Sequence, residues 1–182
     1  MKIVFIGDVV GKNGCEALAK ELFKIKNDYK AELVIVNGEN SAEGNGIDKR
    51  SEQAIFDAGA DVITTGNHAF NKYEIFEEFD RCDRLIRPAN FGTELAGKGV
   101  CELDFGSFKV CVLNLIGTAF MQPCDNPFKC AQELLNDIDA RVVIVDFHAE
   151  ATSEKRAMGF FLAGKVTAVL GTHTHVQTAD EQ

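Results

Sequence analysis

The sequence predicts an α/β fold in a single domain, a mainly parallel sheet with helices outside it. Three observations carry this. Short β-branched apolar runs recur along the chain. Amphipathic stretches of helical period separate them. Two runs flanking Gly106-Ser107 read as a hairpin, which breaks the alternation and adds an antiparallel portion.

The elements follow in order. Residues 2–6 are β-branched and aromatic, a buried-strand pattern. Residues 15–25 carry Leu18, Leu22, Phe23 and Ile25 on a helical face. Residues 32–36 form the next strand. Asp48 is placed to cap a helix running to Ala58, with Ser51, Glu52 and Gln53 in its first turns. Residues 61–64 are a third strand, 72–79 a third helix, and Leu85-Ile86 a short strand before Pro88. Residues 100–105 and 108–115 form the hairpin. Asp125 or Asn126 ahead of Pro127 opens a helix to about Ile138. A strand at 142–145, a helix near 153–162 and a strand at 166–170 complete the pattern. No repeat, linker or low-complexity tract divides the chain, so residues 1–182 are expected to form one domain.

Composition narrows the function classes. The formal net charge of -9 argues against an extended nucleic-acid surface. It leaves room for a small anion, because bound metal ions can invert a local field. The six cysteines contain no C-x-x-C pair, and several lie in apolar runs, which favours reduced core thiols and a cytoplasmic location. No apolar run reaches membrane-spanning length.

The chemistry collects where strands end. Gly7-Asp8, Asn37-Gly38-Glu39-Asn40, Gly66-Asn67-His68, Asp146-Phe147-His148 and Gly171-Thr172-His173-Thr174-His175 each follow an apolar run. Open α/β sheets build their sites at the carboxyl ends of strands. All four histidines of the chain fall there, beside Asp8 and Glu39. Imidazole with carboxylate suits zinc, manganese, iron or nickel better than calcium or magnesium. If residues 173–175 are extended, their two rings project to one side and can reach neighbouring ions. Glu39 could bridge two ions through its two oxygens, and such a pair can clamp a phosphate and hold a hydroxide for in-line attack.

A nucleotide loop at Gly7–Asn13 is the competing reading. A Walker A motif needs four residues between its glycines and Ser or Thr after the lysine. Here three residues separate Gly7 from Gly11, and Asn13 follows Lys12. Arg87 divides evenly between a phosphate ligand and a surface arginine in a turn. Glu150, Ser153 and Glu154 read as a helix start rather than catalytic groups. Phe120-Met121 could line a base pocket, with core or interface packing the plainer alternative.

These motifs resemble the calcineurin-like metallophosphoesterases, and more closely the YmdB-like bacterial family within them. The closer resemblance lies in residues 5–11, 36–40, 87–90, 146–155 and 171–180, and it spans essentially the whole chain. It implies a mixed β-sheet sandwich flanked by helices, lacking its C-terminal part. It also implies a two-metal phosphodiesterase acting on cyclic nucleotides, 2′,3′-cyclic ones included, with iron as the metal and manganese or zinc as alternatives. By the resemblance, Asp8, Glu39, Asn40 and His175 hold one ion. Glu39, Asn67, His148 and His173 hold the other, and His68 is the proton donor. The broad superfamily has a histidine where this chain has Val10, an aspartate where it has Glu39, and a carboxylate where it has Ala69. The first two changes are shared by the YmdB-like family. The third leaves His68 without its usual orienting partner. The alternative function is a metal- or nucleotide-binding regulatory protein with little turnover. The expected partner is a small phosphodiester and not a membrane, with homo-oligomerisation left open. His175 lies seven residues before Gln182. The further expectation is therefore a C-terminally truncated domain, with exposed sheet edge around residues 166–170.

Overall fold

The computed structural model describes residues 1–182. It contains two sheets rather than the single one expected from the strand–helix alternation. The first is all parallel, in the order β1 (Ile3–Ile6), β2 (Leu33–Asn37), β3 (Val62–Thr64). The second runs β4 (Val100–Asp104), β5 (Lys109–Ile116), β6 (Val142–His148), β7 (Ala168–Thr172). In it β4 and β5 form the expected antiparallel hairpin, and β5, β6 and β7 are parallel. Five helices flank the pair: α1 (Gly11–Tyr29), α2 (Lys49–Asp57), α3 (Ile75–Arg81), α4 (Pro127–Asp137) and α5 (Thr152–Leu162).

Strand alternation explains the layering, because successive side chains face opposite sides of a sheet. Val34, Val36 and Ile63 face outward and pack with Leu18 and Leu22 of α1, Ile55 of α2 and Phe79 of α3. Cys111, Leu113, Val145 and Phe147 face the other way, toward Ala131 of α4 and Met158 and Leu162 of α5. Between the sheets lie Leu33, Ile35, Val62, Val110, Val112 and Ile144. β2, β3, β5 and β6 are buried on both faces, so they read as continuous apolar runs, which hides the second layer from periodicity.

Local signals set the helix ends. Asp48 accepts from the Ser51 amide at 2.7 Å, and the Ser51 hydroxyl accepts from the Asp48 amide at 3.1 Å, a capping box. The Asn126 carboxamide oxygen caps α4 ahead of Pro127. The third helix begins three residues later than predicted, at Ile75, because Lys72–Glu74 form a turn. Leu85 makes only an isolated bridge to Ile63, not a strand.

Three strands outrun their apolar patterns: β2 includes Asn37, β6 includes Asp146 and His148, and β7 includes Thr172. These residues share a face with the inter-sheet apolar side chains. At its carboxyl end, therefore, the layer between the sheets becomes polar. The buried Asp146 carboxylate accepts from Asn37 Nδ2 at 2.9 Å, from Thr172 Oγ1 at 2.6 Å and from the Thr64 hydroxyl. Asn114 Oδ1 accepts from the Thr65 amide at 3.0 Å. Apolar contact is non-directional and would let one sheet slide over the other. Hydrogen bonds from Asn37, Thr64 and Thr65 to Asp146 and Asn114 fix the alignment. No buried side-chain nitrogen or oxygen lacks a partner. This polar floor comes from residues just ahead of the candidate ligands that follow β2, β3 and β7, and from Asp146 beside His148 on β6.

Both β1 and β7 are sheet edges, and residues 166 and 168–170 are half-buried where exposure was expected. All six cysteines are free. Burial pushes Cys111 up to about 12 and Cys101 and Cys130 up to about 11, so these thiols are inert packing. No helix is long and apolar enough to cross a membrane.

Candidate metal centre

The structure brings the seven expected ligands together at the strand ends. Glu39, fully buried, is central. Its Oε1 lies 3.0 Å from His148 Nε2 and accepts from Asn40 Nδ2 at 3.3 Å. Its Oε2 accepts from the His68 amide at 3.1 Å. On one side Asn67 Oδ1 is 2.9 Å from His148 Nε2, and His173 Nδ1 is 3.1 Å from that same nitrogen. On the other, Asp8 Oδ2 is 3.2 Å from His175 Nε2, which is 3.5 Å from Asn40 Nδ2. The contacts thus fall into two groups meeting at Glu39. Asp8 joins them again by accepting from the His173 amide at 3.1 Å.

The donor set fits metal ions on two grounds. Glu39, His148 and His173 each offer a ligand atom within 4.8 Å of the others, and Asn67 adds a carboxamide oxygen beside them. That convergence of lone pairs calls for a cation. The second ground is Gly66, where a Cβ would collide with the Glu39 carboxylate and the His148 ring. The missing side chain leaves those two groups their room. Gly66→Ala is accordingly expected to displace them, weaken metal binding and cost about 1–3 kcal/mol of stability. Metal titration and urea unfolding read the two effects.

Electrostatics agree with that arrangement. Burial raises the Glu39 carboxyl, but its hydrogen bond and charge interaction with His148 outweigh this and hold it below the usual range. Burial opposes the charged form of His148, yet Glu39, Asp8 and Asp146 leave its pKa raised. His173 is depressed by burial and by neighbouring His148. Protons and metal ions compete for these nitrogens, so metal affinity here is pH-dependent.

Residues 173–175 depart from the extended geometry expected of them. The strand ends at Thr172, and His173 and His175 have φ of 93° and 53°. The two rings reach different partners through a left-handed bend, not through strand alternation. Such backbone is strained for residues other than glycine and persists where its surroundings hold it. Lys155 Nζ donates to Thr174 Oγ1 at 3.0 Å between the two histidines.

His68 also finds the partner that Ala69 cannot supply. Its Nδ1 lies 2.9 Å from Asn40 Oδ1, which accepts its proton. The ring is 33% exposed, and no hydrogen bond engages its Nε2. The β1–α1 loop is not a phosphate cradle. Its amides at Val9 and Gly11 already donate to the Asn37 and Asn40 carbonyls at 2.9 and 2.8 Å.

Neither reading of Arg87 holds. The residue is 3% exposed, and its guanidinium donates to the carbonyls of Pro88, Ala89, Gly92, Leu95, Ala96 and Gly97. It is the hub of the 88–97 loop. Arg87→Ala is expected to destabilise by about 3 kcal/mol or more, since those carbonyls lose a charged donor. Urea unfolding measures that loss, and KM per folded molecule should be unchanged. Phe120 is not core: it is 90% exposed with φ of 63°. Its loop is held by Glu154, which accepts from the Thr118 and Ala119 amides, and by Gln122, which donates to the Asn67 carbonyl at 2.7 Å.

Sequence reasoning gave Asp146 and Thr172 no role of their own and read Glu150 as a helix start. Asp146 precedes His148 by two residues and therefore shares its strand face, the one signal available. Glu150 Oε2 lies 2.9 Å from His173 Nε2, so it is more than a helix-start residue.

The family model described as YmdB-like protein matches residues 4–182. The chain belongs to the YmdB-like family. Its sequence is 45% identical over 184 aligned residues to a 2′,3′-cyclic-nucleotide 2′-phosphodiesterase of Bacillus subtilis, covering 100% of this chain and 70% of that protein. A hypothetical protein from Thermus thermophilus superposes with a TM-score of 0.94 at 41% identity, over 100% of this chain and 71% of the other. A novel phosphatase from Mycoplasma pneumoniae also gives 0.94 at 39% identity, over 99% and 66%. The chain thus spans about two thirds of these relatives' lengths. The YmdB-like fold is a metallophosphoesterase fold, and the two helix-flanked sheets seen here are its sandwich.

Proposed function

We propose that this YmdB-like chain hydrolyses cyclic nucleotide phosphodiesters, 2′,3′-cyclic ones among them, at a two-metal centre. It is a metal-dependent phosphodiesterase. The observation that carries the reading is the meeting of two ligand groups at the buried Glu39, with His68 beside them. Asp8, Glu39 and His175 would hold one ion, joined by Asn40 on turning its carboxamide oxygen inward, since its Nδ2 faces Glu39 and His175 here; Glu39, Asn67, His148 and His173 would hold the other. Nitrogen–oxygen donors of this kind suit iron, with manganese and zinc as alternatives. When bound, the ions supply Lewis-acid stabilisation of phosphoryl charge and an activated water nucleophile.

The chain's own residues do the rest. His68 donates Nδ1–H to Asn40 Oδ1, which fixes the ring and leaves Nε2 at the open side. That nitrogen is positioned to protonate the ribose oxygen as it leaves. Phe120 offers an exposed aromatic face on a loop tied to Asn67, suited to stacking on a base. The relative from Bacillus, named for 2′,3′-cyclic nucleotides, supports this substrate class.

The test is turnover of 2′,3′-cyclic AMP by anaerobically prepared protein with Fe²⁺ or Mn²⁺, against linear diesters and monoesters. Opening of the cyclic diester that stops on chelation is expected. Hydrolysis undiminished after complete metal removal, or none under any metal, would reject the proposal.

A further inference from the structure

Two carboxylates outside the ligand set reach two of its histidines at opposite ring nitrogens, one through a threonine hydroxyl and one directly. His148 Nδ1 lies 2.9 Å from Thr172 Oγ1, and Thr172 Oγ1 lies 2.6 Å from Asp146 Oδ1. A threonine hydroxyl has a single hydrogen, and a carboxylate only accepts. The hydroxyl therefore donates to Asp146 and must accept from His148. That places a proton on His148 Nδ1 and makes Nε2 the nitrogen that can give its lone pair to a cation. Asp146 is held for this task by Asn37, Thr64 and Thr172 from three strands.

His173 is arranged the other way round. Its Nε2 is 2.9 Å from Glu150 Oε2, so the proton sits on Nε2 and the lone pair on Nδ1. The two remaining nitrogens, His148 Nε2 and His173 Nδ1, are the pair 3.1 Å apart beside Glu39 and Asn67. Exchanging either tautomer would aim an N–H bond at the place where lone pairs converge.

We infer that Asp146, through the Thr172 hydroxyl, and Glu150, directly, are positioning residues that hold His148 and His173 in opposite tautomers, so that both present lone pairs to one shared cation. This rests on the metal-centre reading above. An outer partner on a ligating histidine sets its ring orientation and raises its basicity. The relay through Thr172 is rigid because Asp146 belongs to the hydrogen bonds that lock the sheets. The Glu150 contact is half-exposed and independent of that lock.

Zinc is diamagnetic, so long-range ¹H–¹⁵N correlation of the imidazole rings in zinc-loaded protein reads the tautomers directly. The expected spectrum has the proton on Nδ1 of His148 and on Nε2 of His173. Thr172→Val, which keeps the shape but not the hydroxyl, should weaken zinc binding about 10–100-fold, and Thr172→Ser should restore it. Glu150→Ala should weaken it over the same range while the His148 signals stay in place. Wild-type protein that binds zinc with either ring in the other tautomer overturns the inference, as does undiminished affinity in both variants. Should Thr172→Val fail to fold, the wild-type spectrum and Glu150→Ala still decide. Wild-type protein that binds no zinc, iron or manganese overturns the metal-centre reading itself, a distinguishable outcome.

Discussion

Replacing Glu39 with alanine is expected to empty both metal positions and abolish turnover. Glu39 stands between donor side chains of both ligand groups, with Asn40 on one side and His148 on the other. Removing it takes a shared anion from between the remaining donors. It also leaves two histidines and a carboxamide facing each other with no charge to balance a cation. Wild-type protein prepared without oxygen should carry about two transition-metal equivalents, and Glu39→Ala close to none. Asn40→Ala should keep about one, since it touches a single group. It should also slow turnover further, because Asn40 Oδ1 orients His68. Circular dichroism separates metal loss from unfolding. A folded Glu39→Ala protein that retains its full metal content would refute the bridging role.

His68→Ala is expected to keep its metals and lose activity by on the order of 10²–10⁴, the range for removing a general acid. Its ring is not needed to hold the Glu39 carboxylate, since the contact at 3.1 Å comes from the backbone amide, which alanine retains. The loss should depend on the leaving group. A ribose alkoxide must be protonated as it departs, whereas p-nitrophenolate leaves readily as an anion. A p-nitrophenyl diester should therefore suffer much less than a 2′,3′-cyclic nucleotide. Equal losses on the two substrates would place the role of His68 in binding or positioning rather than proton transfer.

The sequence by itself determined most of the elements and where the candidate ligands collect. Strand runs ending in Asp8, Asn40, Asn67, His148 and His175 put polar residues where α/β sheets gather function, and neither a second sheet nor a cavity is needed to see it. The caps at Asp48 and Asn126 are local chemistry, and they behave as local patterns predict. What tertiary structure decided is everything that depends on two strands meeting across a gap. Asn37, Asp146 and Thr172 look like loop residues after an apolar run, and they become strand residues because each finds a partner on the facing sheet. The same holds for Arg87, whose six carbonyl acceptors surround it only once the 88–97 loop closes. Left-handed backbone at His173 and His175 is equally invisible beforehand. Local preference runs against it, and contacts with Asp8, His148 and Glu150 hold it in place. Periodicity reports which way a side chain faces. Which group stands opposite, and hence which nitrogen of a histidine carries the proton, is set by hydrogen bonds between residues more than twenty positions apart.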